Sequence, residues 1–451
     1  MAAKKKTYQM MKVVQPNAAG IDIGAKEIYV AIPEDRSKDS VRRFDSFTDD
    51  LHNAAKWLKQ NDIESVAMES TGVYWIPVYQ ILDLYGFSVY LVNAKHVKNV
   101  PGRKTDVKDS QWLQYLHSVG LLESSYRPAQ AVCAIRSLLR HRSGMVRMAS
   151  SHVQHMQKAL TQMNLQLHNV ISDITGETGL KILDSILDGN HNPKKLAELK
   201  SKRIRASKST IVKSLSGDYR TEHLFTLRQS LESYRFYQDQ IHTCDLEIES
   251  LLKDFESNLK SENDAGEKPQ IGTKKPSTGN SPRFDIQGEM YRVFGTDLTR
   301  VDGINSSTVL TLFSEIGPDL SKFPTDKHFC SWLGLSPNNK ISGGKILSSG
   351  TKKNSNKAAH AFRLAANALF RSKSYLGDYY RSKRARLGAP KAITATAHKL
   401  ARIFYHLVKH RKSYDDSVFA VAEENHRKRK LRNLKKQAEA FGLQLVEGIS
   451  A

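Results

Sequence analysis

The sequence is short of cysteine, of acidic side chains and of long apolar runs. Cys133, Cys244 and Cys330 lie far apart and form no CxxC pair, which argues against a disulfide framework or a structural zinc site and indicates reduced thiols. No segment approaches the ~18 consecutive apolar residues of a membrane-spanning helix, and the basic N-terminus MAAKKKTYQMMKVVQ contains no signal or anchor. These absences predict a soluble cytoplasmic protein without a membrane partner.

Basic residues are in large excess. The 451 residues, enough for two or three domains, include 69 Lys and Arg against 46 Asp and Glu, a net charge of +23. Between Lys340 and Lys412, 18 basic residues stand against one acid, Asp378. Such a field attracts polyanions. Nucleic acid is the commonest large polyanion, although ribosomal and membrane-surface proteins share this composition, so the sequence predicts a polyanion-binding C-terminal domain.

Short β-like runs alternate with helical runs over residues 19–122. GIDIG, EIYVAI and SVRRFDSF are predicted as strands, the first two joined by a tight turn at residues 24–26, and ESVAMES and FSVYLVNA are predicted as two more. Helices are predicted near residues 49–60 and 73–85 and from about Asp106 onward. The order β-β-β-α-β-α-β-α predicts a mixed sheet covered by helices.

Apolar residues then recur in steps of three and four as far as Val170, with a break only at Arg142. The members of this seam are Ile135, Leu139, Val146, Ala149, Val153, Met156, Leu160, Met163, Leu167 and Val170. A weaker seam includes Leu224, Leu227, Leu231, Tyr234, Ile241, Ile248 and Leu252. Heptad spacing predicts a coiled coil. The two helices pair within one chain or form a dimerising arm, and the sequence favours neither arrangement.

The remaining chain contains a linker, a helical domain and a basic tail. Residues 261–282 are polar, rich in Gly, Pro, Ser and Lys, and lack an apolar period, which predicts a linker. HRKRKLRNLKK, at residues 426–436, has seven cations and no acid, which indicates a phosphate-contacting or a merely solubilising tail. The predicted boundaries are residues 1–125 for the α/β domain, 126–260 for the arm, 261–289 for the linker, 290–412 for the basic domain and 413–451 for the tail.

Four acids occupy unusual positions in the α/β domain. Asp22 lies inside the strand GIDIG, and Glu69 ends the strand AMES. Asp106 and Asp109, in GRKTDVKD, project from one face of the predicted helix, where they repel each other unless a cation lies near them. Lys104, Lys108 or a divalent metal could be that cation, and a carboxylate within a strand is unfavourable in itself. An isolated acid at a strand end is usually only solvated, but four such acids together indicate a site.

The sequence around these acids resembles the DEDD insertion-sequence transposases related to the Piv DNA invertase. The resembling segments are GIDIGAKEIYVAI, MESTGVYW and GRKTDVKDSQWL. The resemblance covers most of residues 18–125 and resumes near Val301. It implies a ribonuclease H-like, RuvC-like domain in which the four acids bind Mg²⁺ near the reacting phosphate. Two such ions can stabilise the attacking and leaving oxygens of a displacement at phosphorus, and Mg²⁺ prefers hard oxygen ligands.

The C-terminal domain shares this resemblance. RVDGINSSTVLTLFSEIG resembles a helix-hairpin-helix unit with Gly303 in its turn. KISGGK belongs to a predicted Gly/Ser/Lys loop that opens into a helix, and it places Ser342 at the position that resembles the family's serine nucleophile. A serine hydroxyl needs a base, a metal or dense positive charge to react. Ser336, Ser348 and Ser349 are nearby competitors. Cations flanking the acids and Ser342 are predicted to hold phosphates: Lys95, Lys98, Arg103, Lys104, Lys108, Lys340, Lys345, Lys352 and Lys353.

Taken together, the residues and the resemblance predict a DNA transposase or site-specific recombinase that cleaves and rejoins donor and target DNA. The resemblance further implies a structured non-coding RNA that selects the DNA by base pairing, and recombination between two duplexes predicts a homo-oligomer, a dimer or tetramer. Two alternatives remain open. A metal-dependent Holliday-junction-type endonuclease would cut without a covalent intermediate, and a non-enzymatic scaffold would use the acids only to pair with lysines.

Overall fold

The protein divides into two compact units, Met1–Arg127 and Pro128–Ala451. The computed structural model describes residues 12–70, 72–93, 106–259, 280–352 and 355–443. Within these ranges no helix combines the length and the apolar character needed to cross a membrane. The finer division into an arm, a linker, a basic domain and a tail stays a prediction.

The N-terminal unit is a five-stranded mixed sheet with helices on both faces. Its elements are β1 (Ala18–Ile23), β2 (Glu27–Ala31), β3 (Val41–Asp45), α1 (Thr48–Gln60), β4 (Ser65–Glu69), α2 (Trp75–Leu84), β5 (Ser88–Val92) and α3 (Asp106–Ser118). The strand order is β3-β2-β1-β4-β5. β1, β2 and β3 pair antiparallel, whereas β1, β4 and β5 pair parallel. The predicted mixed α/β sheet is confirmed.

The two faces of this sheet are packed differently. Ile21 and Met68 face a large core with the buried side chains of α1 and α2. Ala67 faces α3 in a smaller cluster with Leu113 and Leu116. Each strand alternates its side chains between these two cores, and the short apolar runs of β1 and β4 are buried on both faces as a consequence.

Helix α3 lies directly on the backbone of β1. A Cβ at Gly20 would come 2.2 Å from the amide nitrogen of Gln114 and 2.4 Å from the carbonyl oxygen of Ser110. The Gln114 side chain also donates a hydrogen bond to the Ala18 carbonyl at 3.2 Å. The helix runs antiparallel to the strand, because later helix residues contact earlier strand residues. Its first turn therefore lies at the end of β1 where Asp22 stands.

The second unit begins with two antiparallel helices of 33 residues each, α4 (Gln130–Gln162) and, later in the chain, α9 (Thr221–Lys253). Arg142, the break in the predicted seam, forms a buried ion pair with Asp245 of α9, at 2.5 and 3.2 Å. Met156 and Leu160 are fully buried within this single chain. The structure thus favours the intramolecular pairing of the two alternatives, and knobs-into-holes coiled-coil packing stays a prediction.

A small helical cap joins these two long helices. It consists of α5 (Leu167–Val170), α6 (Glu177–Leu187), α7 (Pro193–Glu198) and α8 (Lys208–Ser214). The seam predicts one helix as far as Val170, but α4 ends at Gln162 because Asn164 adopts a left-handed backbone with φ 53°. Leu165 and Leu167 then join the cap's own core with Ile182 and Leu196. The heptad spacing of apolar residues continues through this turn, so the sequence pattern did not predict where α4 ends.

The rest of the second unit is mainly helical, with one hairpin. Its elements are α10 (Ile286–Phe294), α11 (Ser306–Ile316), α12 (Asp326–Trp332), β6 (Lys340–Ser342), β7 (Lys345–Ser348), α13 (Lys357–Ala368), α14 (Tyr375–Leu387), α15 (Ala389–His410) and α16 (Ala420–Ala440). Phe313, Phe329, Phe362 and Phe404 are fully buried. The predicted helical remainder is confirmed, and the three cysteines are free thiols as predicted.

The predicted linker and the predicted helix-hairpin-helix unit are not confirmed by the structure. The polar segment at residues 261–282 lies outside the described residues as far as 279. Within the resembled helix-hairpin-helix unit, Gly303 has φ 86° and Asn305 caps α11 by accepting a hydrogen bond from the Thr308 amide at 2.8 Å. A capped helix after a glycine turn is common to many helical folds, so the helix-hairpin-helix assignment stays a prediction.

Candidate functional site

Asp22 and Glu69 lie side by side at the ends of neighbouring strands. The parallel register pairs Ile21 of β1 with Met68 of β4, and each acid is the next residue on its strand. Because side chains alternate along a strand, both carboxylates project to the face of the sheet that α3 covers. Both side chains are half-buried.

Asp106 and Asp109 occupy the first turn of α3. Asp106 is exposed, Asp109 is half-buried, and the antiparallel course of α3 over Gly20 brings this turn to the end of β1. Asp22 and Asp106 line one cavity of about 1000 Å³. An acid in a first turn also stabilises its helix dipole, but that role does not account for two further acids at the same end of the sheet.

The cavity contains further polar residues that the sequence analysis missed. Tyr29 lies opposite Asp22 and also opposite Arg43, since β2 pairs with both β1 and β3. Its hydroxyl donates a hydrogen bond to Glu27 at 3.2 Å, and Arg43 forms ion pairs with Glu27 and, at 2.8 Å, with Asp45. Partial burial, followed by Glu27 and more weakly Asp106, raises the pKa of Tyr29. The tight turn at residues 24–26 was the available signal, because it fixes which residues of β2 face β1.

The four acids suit Mg²⁺ in donor type, and their backbone positions lie at one end of the sheet. Carboxylate oxygens are the ligands that Mg²⁺ prefers, and two strand ends and one helical turn supply all four at one end of the sheet. Among the described residues, however, no three His, Cys, Asp or Glu side chains are close enough together to hold a metal ion. The backbone therefore places the donors, while gathering them around an ion requires movement of their side chains.

Ser342 stands on a hairpin rather than on the loop predicted for KISGGK. It ends β6 and pairs with Lys345 of β7 across a two-residue turn. Gly343 and Gly344 have φ 54° and 76°, the left-handed conformation that a tight two-residue hairpin turn requires and glycine adopts without strain. Every residue from Lys340 to Gly350 is exposed. Within the described chain the Ser342 hydroxyl makes no hydrogen bond, and Lys340 and Lys345 are the charged residues nearest to it along the hairpin strands.

The predicted phosphate-binding cations are placed in part. Lys108 is exposed in the first turn of α3, and Lys340, Lys345 and Lys352 are exposed on or beside the hairpin. The other predicted residues, Lys95, Lys98, Arg103, Lys104 and Lys353, lie outside the described residues. Exposed lysines are available to a polyanion, but exposure alone does not distinguish phosphate binding from solvation.

Family models match both the segment that contains the four acids and the segment that contains Ser342. The family model of the DEDD transposases of IS110 type, described as a transposase, matches residues 19–165, and the model described as Transposase IS116/IS110/IS902 family matches residues 295–381. The matches span 147 and 87 residues, together 234 of the 451. No curated protein matches the chain. The first match includes all four acids and the second includes Ser342. The chain therefore belongs to the IS110 family of insertion-sequence transposases, enzymes that cleave and rejoin DNA.

Proposed function

We propose that this transposase exchanges DNA strands through a phosphoserine link formed by Ser342, with Asp22, Glu69, Asp106 and Asp109 holding Mg²⁺. One observation carries the metal part of the proposal, namely that two adjacent strand ends and the first turn of α3 place four acids at one end of the sheet. The resemblance of the segment around KISGGK to the Piv-related transposases suggests the serine part.

The proposed exchange has two balanced displacements. The Ser342 oxygen attacks phosphorus, so that a bond from phosphorus to the serine oxygen forms while the bond from phosphorus to one strand breaks. The hydroxyl proton of Ser342 is released and the departing oxygen takes up one proton, so that this strand leaves with a hydroxyl end and no proton is gained or lost overall. In the second displacement an incoming hydroxyl end attacks the phosphoserine and releases the serine. Bond energy is conserved, and no external energy source is needed. Bound Mg²⁺ would stabilise the charge on the attacking and leaving oxygens.

The hairpin supports the serine assignment over its neighbours. Ser342 lies directly before the Gly343–Gly344 turn and opposite Lys345, where backbone without side chains permits close approach to DNA. Ser348 pairs with Lys340 at the open end of the hairpin instead. Lys340 and Lys345 contribute positive charge that favours a serine alkoxide.

We further propose a structured RNA from the element as the guide that selects the DNA, and an even-numbered oligomer as the active assembly. In such a system the RNA recognises the DNA sequence by base pairing, and the protein needs only cations that bind the nucleic-acid backbone without contacting bases. Exchange between two duplexes needs at least two cleavage centres. The heptad seam no longer supports the oligomer, since six of its ten residues are buried within one chain and the other four are half-buried. The number of cleavage centres alone carries this part.

Recombination between paired DNA sites tests the proposal. The full chain is purified with its copurifying nucleic acid, that nucleic acid is sequenced, and exchange is measured with Mg²⁺ or with a chelator, before and after treatment with ribonuclease. Exchange that requires both Mg²⁺ and a defined RNA is expected. Exchange that survives ribonuclease would reject the guide, and hydrolysed ends without exchange would favour the metal-dependent nuclease.

A further inference from the structure

A group of basic side chains on the second unit remains outside the site described above. Helix α4 packs against α11, and α11 packs against α13. Arg140 of α4 and Lys357 and His360 of α13 are exposed where these helices meet. Arg147, seven residues after Arg140 and so on the same face of α4, is also exposed and lies close enough to Lys357 to influence its charge. Two cavities of about 230 and 490 Å³ open there, and Lys357, Ser307 and Thr311 line both of them. The two cavities form a groove with Lys357 at its centre.

The charges of this groove are unbalanced. Glu315 is the one acid among the described residues that line the two cavities. Its carboxylate already accepts hydrogen bonds from Arg140 at 2.9 and 3.0 Å and lies 3.6 Å from Arg136. Neither Arg147 nor Lys357 forms an ion pair within the described chain. Two guanidinium groups thus share one carboxylate, and two further cations remain uncompensated.

The pKa of Lys357 reflects both its partial burial and the surrounding positive charge. Partial desolvation, followed by the positive charge of Arg140, lowers the pKa of Lys357, and Arg147 and Arg136 act in the same direction against the opposing influence of Glu315. A bound anion would relieve the repulsion among these groups. Hydroxyl groups of Ser307 and Thr311 beside Lys357 add hydrogen-bonding capacity of the kind that phosphate oxygens use.

We propose that Arg140, Arg147, Lys357 and His360 form a binding groove for the sugar-phosphate backbone of a nucleic acid. Lys357 is the first residue of α13, and the Ser342 hairpin ends at Ser348, nine residues earlier in the sequence. The groove therefore lies shortly after the hairpin along the chain. It would hold the backbone on the same compact unit, Pro128–Ala451, that carries the serine. The proposal rests on the proposed function for its biological meaning, but its binding is measurable without any DNA cleavage.

The test compares two double variants of the full chain in a Ser342→Ala background, so that binding is measured without strand exchange. Arg147→Ala with Lys357→Ala removes the two uncompensated cations of the groove. Lys194→Ala with Lys195→Ala removes two exposed cations of α7 and serves as the control of equal charge. Affinities for a duplex DNA and a duplex RNA of one random sequence are measured over a range of salt concentrations.

For the DNA probe, the groove variant should lose about 1.8 from the slope of log affinity against log salt, because about 0.9 counterions are released per neutralised phosphate. The control should keep the wild-type slope, and Lys357→Arg should keep it also. Thermal melting should be unchanged in all variants, since these side chains are exposed. If the slope of log affinity against log salt becomes smaller for only one of the two probes, the groove is assigned to that nucleic acid.

Two results would overturn the groove. In one, the groove variant keeps the wild-type slope on both probes; in the other, the control loses as much as the groove variant does. Neither depends on the serine chemistry. A failure of the proposed function would appear instead as the absence of a protein–DNA adduct in the wild-type chain, with the salt dependence of binding intact.

Discussion

The four acids and Ser342 are held in opposite ways. Asp22 lies near the end of β1 and Glu69 at the end of β4, two strands that are buried on both faces, and the helix carrying Asp106 rests on the backbone of β1 at Gly20. The Ser342 hairpin is exposed along its whole length, and Ile341 and Ile346 are each 62% exposed. Folding alone therefore brings the backbone positions of the proposed metal ligands to one end of the sheet. The position of the proposed nucleophile, Ser342, would be fixed by what the hairpin contacts on binding. Each perturbation below should affect the two regions differently.

The largest effect is expected for Asp106→Asn, which should reduce strand cleavage about 1000-fold or more while leaving the melting temperature unchanged. An amide keeps the shape of the side chain but removes the charge that holds Mg²⁺. Asp45→Asn is the matched control, because Asp45 lines the same cavity but pairs with Arg43. It should retain cleavage within about tenfold of wild type. Equal losses in the two variants would mean that general cavity charge, rather than a metal site, matters.

Gly20→Ala should destabilise the N-terminal unit by about 3 kcal/mol or more, because the added Cβ meets backbone atoms of α3 that cannot rotate away. Denaturant unfolding measures the loss. Gly144→Ala is the control, since a Cβ there meets only the Arg147 side chain at 3.9 Å, and it should be neutral or slightly stabilising. A tolerated Gly20→Ala would show that α3 is not seated on β1, and the placement of Asp106 would lose its basis.

Acid should weaken the same unit through His117 of α3. This ring is fully buried, with Nε2 3.0 Å from the Ser65 hydroxyl, and burial lowers the pKa of His117 from 6.5 to about 4. Between those values the unfolded chain binds a proton that the folded chain does not, so stability falls as the pH falls. The loss from pH 7 to pH 5 should be about 2 kcal/mol. His117→Gln should flatten this dependence, and an equal slope in that variant would assign it to other groups.

The smallest effect on stability is expected at the hairpin. Gly343→Ala should cost the hairpin about 1 kcal/mol, because a Cβ opposes the left-handed backbone of the turn. The melting temperature of the protein should nevertheless stay the same, since the exposed hairpin contributes little to the core. Scanning calorimetry of the variant measures this. A clear drop in melting temperature would show that the hairpin is part of the packed domain.

The sequence predicted the sheet better than it predicted the second unit. The strands of the N-terminal unit are short apolar runs separated by turns, and the acid at residue 22 stands out because it interrupts such a run. The heptad spacing, in contrast, continues through Asn164, where the backbone turns and a helical cap begins. Arg142 appeared to be a fault in the seam, since its partner Asp245 lies 103 residues away.

The candidate site divides in the same manner. The approach of Asp22 to Glu69 follows from adjacent parallel strands, which the order of elements implies. Tyr29 and Arg43 were missed because their place in the cavity depends on strand register. The hairpin at Ser342 was predicted as a loop because its glycines and serines indicate a turn, while its strands have no buried side to produce an alternating pattern.

The most direct test of the serine mechanism is the capture of its covalent intermediate. A labelled DNA substrate with a suicide nick is incubated with wild-type protein and with Ser342→Ala, and the products are separated on a denaturing gel. The wild-type chain should give a protein-sized shifted band that Ser342→Ala lacks, while Ser336→Ala, Ser348→Ala and Ser349→Ala retain it. Persistence of the band in Ser342→Ala, or its absence from the wild type under conditions that cleave the DNA, would contradict the account.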